Sequence, residues 1–419
     1  MNNMLLKDLD FLYSLHSRGI RLGLENTLKL MEYLGNPQEK IKTIHIAGTN
    51  GKGSTASMIA KILETSGKKV GLYTSPHLIN FNERIRINGR AISDREIQEY
   101  VKQNREYFIK NQVTFFEATT GMAFSHFLAQ KVDIAIIETG LGGRLDSTNV
   151  LQPMLSIITE ISYDHMHILG DTIEKIALEK AGIIKEKTPV LVADQGDVQI
   201  KVIEDVAKKK KAPIYFTDNK KAKIKQLSKN ACRFEYAGSK YVINQGGSYQ
   251  VSNAITAIEA IKILFKDLDK NTIEKGLDFW FWPGRMQEME KNIYYDVSHN
   301  LSGIQILSQD IFRSFKTKPI GILSLKKDKP SEDIILCLKK NFEKIILFCP
   351  KDRGLLETEE FKKNPYFSEL DHNEKISNCL QMAKQAQKDK NQPIVIFGSH
   401  YIAEDVFKFF NFYFDNFEI

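Results

Sequence analysis

The chain reads as an α/β protein of two domains, each built on a mostly parallel sheet, and three observations predict this. Short runs of Val, Ile and Leu alternate with helix-periodic segments up to about residue 220, and again from 293 to 397. One run, Ile41 to Ala47, breaks into a glycine-dense turn, Gly48-Thr49-Asn50-Gly51-Lys52-Gly53-Ser54-Thr55, and then a helix-forming segment, Ala56 to Glu64. The chain's 419 residues also exceed what a single core ordinarily organises. The rigid turn Trp282-Pro283-Gly284-Arg285 reads as the junction, giving a larger domain over 1–285 and a smaller one over 286–419.

Composition narrows the class of partner. No apolar run reaches the length of a membrane span, and the first ten residues carry Lys7, Asp8 and Asp10 in place of a secretory core. The four cysteines, Cys232, Cys337, Cys349 and Cys379, lack metal-type spacing, which predicts a cytoplasmic protein without zinc. A net charge of +7 favours anionic ligands but falls short of a nucleic-acid footprint. Lys208 to Lys211 and the Lys220, Lys221, Lys223, Lys225 group form a basic patch, the first run reading as a solvated helix end. Neither nucleic acid nor membrane is expected as a partner, and the chain is expected to act as a monomer.

Taken in order, residues 5–40 read as helices, with Leu9, Leu12, Leu15 and then Leu28, Met31 at helical spacing. The Ile41–Ala47 strand and its glycine loop follow. Backbone N–H groups at such a turn and the positive end of the following helix attract an anion. Lys52 adds a point charge for the outer phosphates, and Ser54 or Thr55 a hydroxyl for Mg²⁺. The spacing is unusual: two residues separate Gly48 from Gly51, and Gly53 stands between Lys52 and Ser54.

Val70 to Tyr73 is a short buried strand leaving into Thr74-Ser75-Pro76-His77-Leu78 and then Phe81-Asn82-Glu83-Arg84-Ile85. Taken alone, Ser75 reads as a turn or cap residue. Thr114-Phe115-Phe116-Glu117 opens a helix that runs to Gln130. Val132 to Glu138 is an apolar strand ending in a carboxylate beside Thr139 to Asn149, the layout of a metal-ligating acid next to a phosphate loop. Met154 to Thr159 ends in Glu160, Asp164 and His165, and His165 reads equally as a ligand or as a packed histidine. Helix Thr172 to Ile183 carries Glu179-Lys180-Ala181-Gly182, where Lys180 alone reads as a surface lysine paired to an acid. Pro189 to Val192 and Ala212 to Phe216 are further strands, and Cys232 to Gln250 a hairpin turning on Ala237-Gly238-Ser239. A helix from Ser252 to Phe265 follows, with Asn253 a possible N-cap. The second domain has strands Ile293 to Val297, Pro319 to Leu323, Lys344 to Phe348 and Pro393 to Phe397. Their polar exits are Asp296 to Asn300, Lys326 to Lys329, Lys351 to Gly354 and Gly398 to His400.

Together these motifs resemble the folylpolyglutamate synthase/dihydrofolate synthase family of the Mur ligase superfamily. The resemblance rests on Gly48 to Ser54, Thr74 to Leu78, Phe81 to Ile85, Glu138 to Asn149, Asp164-His165, Glu179 to Ile183, Trp282 to Arg285 and Asp296 to Asn300, in order along nearly the whole chain. It implies an N-terminal P-loop (Mur-ligase-like) domain with a smaller C-terminal Rossmann-like domain. It implies ATP-dependent activation of a carboxylate to an acyl phosphate, which the amine of L-glutamate attacks, on dihydropteroate, reduced folate or both. Asn50, Gly51, Lys52, Gly53 and Ser54 would hold the ATP phosphates, joined by Asn253, Arg285 and Asp296. Ser75, Glu138 and His165 would hold Mg²⁺, as two ions, with Lys180 carbamylated. Lys52, Lys180 and His299 would act in catalysis. Thr114, Phe115, Phe116, Glu117, Leu145, Asp146 and Ser147 would form the pterin pocket. Ser147, Ser298 and Tyr163 depart from the family's commoner residues and bear on substrate preference. A synthase with only one of the two activities, or another Mur-type amino-acid ligase, is the alternative. A ligase for UDP-linked sugars would need a UDP-binding domain, and only about 40 residues precede the loop. A nucleotide switch would leave Glu138, His165 and the second domain's loops without a purpose.

Overall fold

A computed structural model describes residues 3–19, 23–228, 230–327, 332–351, 354–363, 365 and 367–412. Asp328, Lys329, Asp352 and Arg353, expected in the second domain's polar loops, lie outside them. The chain forms two units. One contains residues up to Lys220 with Ser252–Leu277, the other Lys221–Val251 with the chain from Asp278 on. The boundary therefore departs from a single cut at 285. The segment 221–251 joins the second unit because its side chains bond there: Tyr249 Oη donates to Asp296 Oδ2 (2.7 Å) and Gln245 Nε2 to the carbonyls of Trp282 and Arg285 (2.7 and 2.6 Å).

The first unit's sheet comprises β1 (Thr43–Ala47), β2 (Val70–Tyr73), β3 (Ile85–Ile87), β4 (Arg90–Ala91), β5 (Ile134–Glu138), β6 (Leu155–Ile158), β7 (Val190–Val192) and β8 (Ile214–Phe216). Their order is β4-β3-β2-β5-β1-β6-β7-β8. The strands from β2 to β8 in that order run parallel, and β3 and β4 add an antiparallel edge. Central strands covered on both faces are mostly apolar, and β1 and β5 are buried at every position.

Helices α1 (Asn3–Ser14), α2 (Glu25–Tyr33), α3 (Lys52–Thr65), α4 (Asp94–Lys110), α5 (Phe115–Ala129), α6 (Met166–Leu169), α7 (Ile173–Ala181) and α8 (Asp197–Lys209) accompany this sheet. One core gathers Leu12, Leu15, Leu30, Phe108, Phe124 and Phe127; another gathers Ile176, Ile184, Val190 and Ile203. Burying each such side chain contributes about 1.5–3 kcal/mol. Helix α9 (Ser248–Leu264) begins four residues earlier than expected, so Asn253 lies inside it and is not its N-cap. The Asp310 carboxylate accepts the Ser248 N–H (2.6 Å), so a distant acid caps this end. Helix α10 (Lys270–Asp278) follows.

In the second unit, β10 (Cys232–Tyr236) and β11 (Ser239–Ile243) form the expected hairpin, with β9 (Lys223–Leu227) added on its other edge. The lysines read as a basic patch thus lie partly on a strand, where Lys225 pairs with Glu235 (3.2 Å). A second sheet holds β12 (Gln287–Glu290), β13 (Ile293–Asp296), β14 (Ile320–Leu323), β15 (Lys344–Phe348), β16 (Asp371–Asn373) and β17 (Ile394–Phe397) in the order β12-β13-β17-β14-β15-β16. All neighbours but β12 and β13 are parallel. Helices α11 (Leu301–Phe315), α12 (Glu332–Asn341), α13 (Thr358–Lys363), α14 (Ile376–Ala386) and α15 (Ala403–Phe409) complete it.

Candidate active site

Strand order creates the first unit's site. β1 lies between β5 and β6, with Ile46 opposite Glu138 and Ala47 opposite Ile158. The glycine loop therefore leaves the sheet between the acid ending β5 and the Thr159-Glu160 exit of β6, at the C-terminal edge where parallel sheets bind ligands. Two glycines are required there. A Cβ on Gly48 would stand 1.8 Å from Thr159 Oγ1. Gly51 has φ +86°, and a Cβ there would meet Asn253 Oδ1 at 2.3 Å. That close approach brings Asn253, from α9, against the loop.

The loop is clasped from β6. Thr49 and Asn50 donate their N–H groups to the Glu160 carbonyl (2.7 and 3.3 Å), and Asn50 Nδ2 donates to the Glu160 carboxylate (2.8 Å). Thr49 Oγ1 and the Ser162 backbone exchange bonds (3.1 and 3.0 Å). Helix α3 starts at Lys52, so Lys52, Gly53 and Ser54 occupy its first turn, whose N–H groups have no partner within the helix. Asn50's amide is thus directed at β6, and the anion-facing donors begin at the helix itself.

Two cations and a carboxylate converge here. Lys52 Nζ donates to the Thr49 carbonyl (3.2 Å) and lies 4.0 Å from Glu138 Oε1. Glu138 Oε2 accepts the Ser75 N–H (3.0 Å), so β2's exit and β5's acid are joined. Lys180, buried at 4% exposure, donates to the Gly48 carbonyl (2.7 Å). It is not the surface lysine that its helix position suggests. Burial first, and then the charge of Lys52, push its amine down to about 7. His165 sits at φ +50° with its ring 3.8 Å from the Asp164 carboxylate.

A sequence profile of the Mur ligase middle domain matches residues 46–261. The dihydrofolate synthase/folylpolyglutamate synthase of Bacillus subtilis is 35% identical over 93% of this chain and 95% of its own. The chain belongs to the folylpolyglutamate synthase/dihydrofolate synthase family. It is an ATP-dependent ligase that joins glutamate in folate metabolism. Lacticaseibacillus casei folylpolyglutamate synthase is 34% identical over 90% of this chain and 92% of its own. The structure of Mycobacterium tuberculosis folylpolyglutamate synthase complexed with ADP and AMPPCP superposes with a TM-score of 0.85 at 27% identity, covering 96% and 99% of the two chains. No helix among the described residues is long and apolar enough to cross a membrane.

Several residues expected in this ligase family's pterin pocket bond and pack within the protein. Thr114 and Glu117 form a capping box: Thr114 Oγ1 accepts the Glu117 N–H (3.3 Å) and Glu117 Oε2 the Thr114 N–H (2.7 Å). Glu117 also accepts from Asn26 Nδ2 (2.7 Å). Both are buried, and the motif starts the helix through Glu117 Oε2. Phe115 is covered too, with His16 stacked at 3.9 Å and the Arg84 guanidinium 5.2 Å above the ring. Phe116 is half-buried and lies against Gly140, where a Cβ would be 2.4 Å from its ring. Of the pair, Phe116 is the ring beside the Glu138 loop. Leu145 and Ser147 are half-buried on that loop, while Asp146 is buried and bonded within it.

In the second unit, Asp296 is fully buried and its carboxylate takes four donors. Tyr249 Oη (2.7 Å) and the Met286 N–H (2.8 Å) reach one oxygen, and the Ser298 N–H and hydroxyl (2.8 and 2.5 Å) the other. A carboxylate with four donors anchors the turn after β13. Arg285 Nη1 reaches the Gly284 carbonyl (3.1 Å). His299 Nδ1 lies 3.0 Å from the Val297 carbonyl; a carbonyl only accepts, so Nδ1 carries the proton and Nε2 is the basic nitrogen.

Proposed function

We propose that this ligase uses dihydropteroate and reduced folates as the carboxylate partner of L-glutamate. The convergence of Lys52, Glu138 and Lys180 on one glycine loop carries the mechanistic reading. The substrate carboxylate attacks the γ-phosphorus, the bond to ADP breaks, and the glutamate amine displaces phosphate from the acyl carbon. Lys52 and the first-turn N–H groups of α3 stabilise the charge on the phosphoryl oxygens. His299, on the turn after β13, is the residue of the second unit that the family resemblance proposes for catalysis.

The residues present fit Mg²⁺. Glu138 offers a hard carboxylate, Ser75 and Ser54 hydroxyls, and Thr55 Oγ1 is buried without a partner. Mg²⁺ keeps several waters and shares phosphate oxygens, so few protein donors suffice to hold it. When bound, Mg²⁺ supplies charge neutralisation across the phosphates. His165, engaged with Asp164, is the softest donor of the proposed set. For Lys180 the reading is a carbamate. Carbamylation needs a neutral amine, and an amine held down to about 7 is substantially neutral at physiological pH. Its nitrogen attacks CO₂, loses a proton and becomes an anion beside the phosphate loop. The four cysteines are buried free thiols, consistent with action in a reducing cytoplasm.

Phosphate release from ATP should require both L-glutamate and a pteroate-type carboxylate. Turnover indifferent to either would sink the substrate assignment, and rates with dihydropteroate and tetrahydrofolate as sole acceptor separate one activity from two. A carbamate carbon resonance from protein equilibrated with ¹³CO₂, absent in Lys180→Ala, tests the modification independently.

A further inference from the structure

We infer that His45 is a positioning residue for this reaction: through the Thr148 hydroxyl it fixes the Asp146 carboxylate, and thereby the Gly140–Asn149 loop that receives the pteridine end of the substrate. The inference deepens the substrate reading above and rests on it.

His45 is the polar residue in the middle of β1, fully buried between Ile44 and Ile46. Its Nε2 lies 2.9 Å from Thr148 Oγ1, and its Nδ1 is buried with no partner. Thr148 Oγ1 lies 2.5 Å from Asp146 Oδ1, which also accepts the Thr148 N–H (3.0 Å). Asp146 Oδ2 accepts the N–H groups of Gly140 and Leu141 (both 2.9 Å). Three of the four groups facing this carboxylate are backbone N–H, which can only donate.

The direction of the remaining bonds follows. With Asp146 ionised, the single Thr148 hydroxyl proton goes to Asp146. The same oxygen must then accept, so His45 carries its proton on Nε2. The reverse chain, with Asp146 protonated and His45 accepting, would put the imidazole N–H on Nδ1, a buried donor with nothing to bond. Orphaned N–H groups are the rarer arrangement. Burial, aided by the charge of Lys185, pushes the imidazole down to about 3, so the ring is neutral and its one proton stays in place.

The chain ends at the substrate loop. Gly140 and Leu141 directly follow Glu138-Thr139, so the bonds to Asp146 set the path of the chain out of β5. On the loop's far side, the Arg144 N–H donates to the Glu179 carbonyl (2.7 Å), and Asn149 Nδ2 reaches the carbonyls of Arg144 and Gly182 (2.9 and 3.1 Å). The loop is thus held at one end by α7, which carries Lys180, and at the other by β1 through His45. Between these anchors Leu145 and Ser147 remain half-buried and available to a ligand. A leucine in place of His45 would fill a central strand without an unpartnered nitrogen, so stability alone does not account for an imidazole there.

The test uses the full-length enzyme with His45→Leu, His45→Gln and Thr148→Val. The glutamine amide reaches about as far as Nε2 and can donate to Thr148. His45→Leu and Thr148→Val should each raise KM for dihydropteroate about tenfold and leave KM for ATP within about twofold, and His45→Gln should recover most of the loss. Without any ligand, hydrogen exchange of the Gly140 and Leu141 amides should accelerate in His45→Leu and Thr148→Val, and exchange in α3 should not. Equal rises in both KM values would overturn the inference, as would glutamine no better than leucine, or unchanged exchange at Gly140 and Leu141. If His45→Leu does not fold, Thr148→Val, which leaves β1 intact, decides alone. A wild-type enzyme inert toward dihydropteroate refutes the substrate reading, while the ligand-free exchange comparison still decides the relay.

Discussion

Replacing Glu138 by Gln removes one negative charge from the phosphate loop's side and almost nothing else. The amide has the carboxylate's shape, and its oxygen can still accept the Ser75 N–H that Glu138 Oε2 accepts at 3.0 Å. What is lost, besides the charged donor proposed for Mg²⁺, is the field at Lys52. At 4.0 Å, with an effective dielectric constant of about 20, that pair is worth at most about 4 kcal/mol, less where water screens the lysine. Losses of preorganised charge at a reacting phosphoryl or acyl group commonly cost about 10²–10³ in kcat, or roughly 3–4 kcal/mol, the same range. We therefore expect Glu138→Gln to lower kcat about 10²–10³-fold and to shift folding stability by no more than about 1 kcal/mol. Coupled phosphate release with saturating ATP, L-glutamate and dihydropteroate measures the first, and denaturant unfolding the second. A variant with kcat within about threefold of wild type would refute the role given to the charge. A variant that loses rate and several kcal/mol of stability together would show that Glu138 is chiefly structural.

Three further outcomes are expected. Gly51→Ala forces an L-residue to φ +86° and a methyl group onto Asn253 Oδ1, so nucleotide affinity should fall more than about tenfold in a fluorescent-nucleotide titration. The Lys180 amine titrates near 7 when folded and near 10.5 when unfolded, so the unfolded chain holds the extra proton between those values. The group's destabilising effect is full below about pH 7 and lifts as pH rises. For the unmodified amine, wild type should therefore gain stability relative to Lys180→Met between pH 7 and 10 in paired denaturant melts, and parallel curves would contradict the shift. Asp296→Asn cannot accept four donors, leaves at least one of them unpaired, and should destabilise the protein by about 2–4 kcal/mol in calorimetry.

The parts legible in the sequence were those with a local physical signature. Apolar runs marked the central strands because parallel strands covered on both faces are mostly apolar, and the glycine loop showed itself because backbone crowding there admits no side chain. What the sequence concealed was partnership at a distance. Lys180 looked like a surface lysine because nothing near it in the chain reveals that α7 delivers it to the Gly48 carbonyl. Thr114 and Glu117, which the resemblance assigns to the pocket, also have the i, i+3 spacing of the capping box they form. Strand β9 was masked by lysines that alternate with Ile224 and Gln226, and His45 by its place in an apolar run. Asp296's set of donors depends on Tyr249, 47 residues earlier, which no spacing rule connects to it.

That β1 serves two tasks has a consequence for how the enzyme can change. Its middle holds the histidine that reaches the Asp146 loop, and the residue after its end both crowds Thr159 and accepts from Lys180. Changes at its middle should act on the acid substrate and changes at the glycine after its end on nucleotide binding, so two tasks share one short strand. Phe116, Leu145 and Ser147 carry no such double duty. Libraries confined to those three positions are where a ligase for a different aromatic acid is most readily selected, with the phosphate machinery left undisturbed.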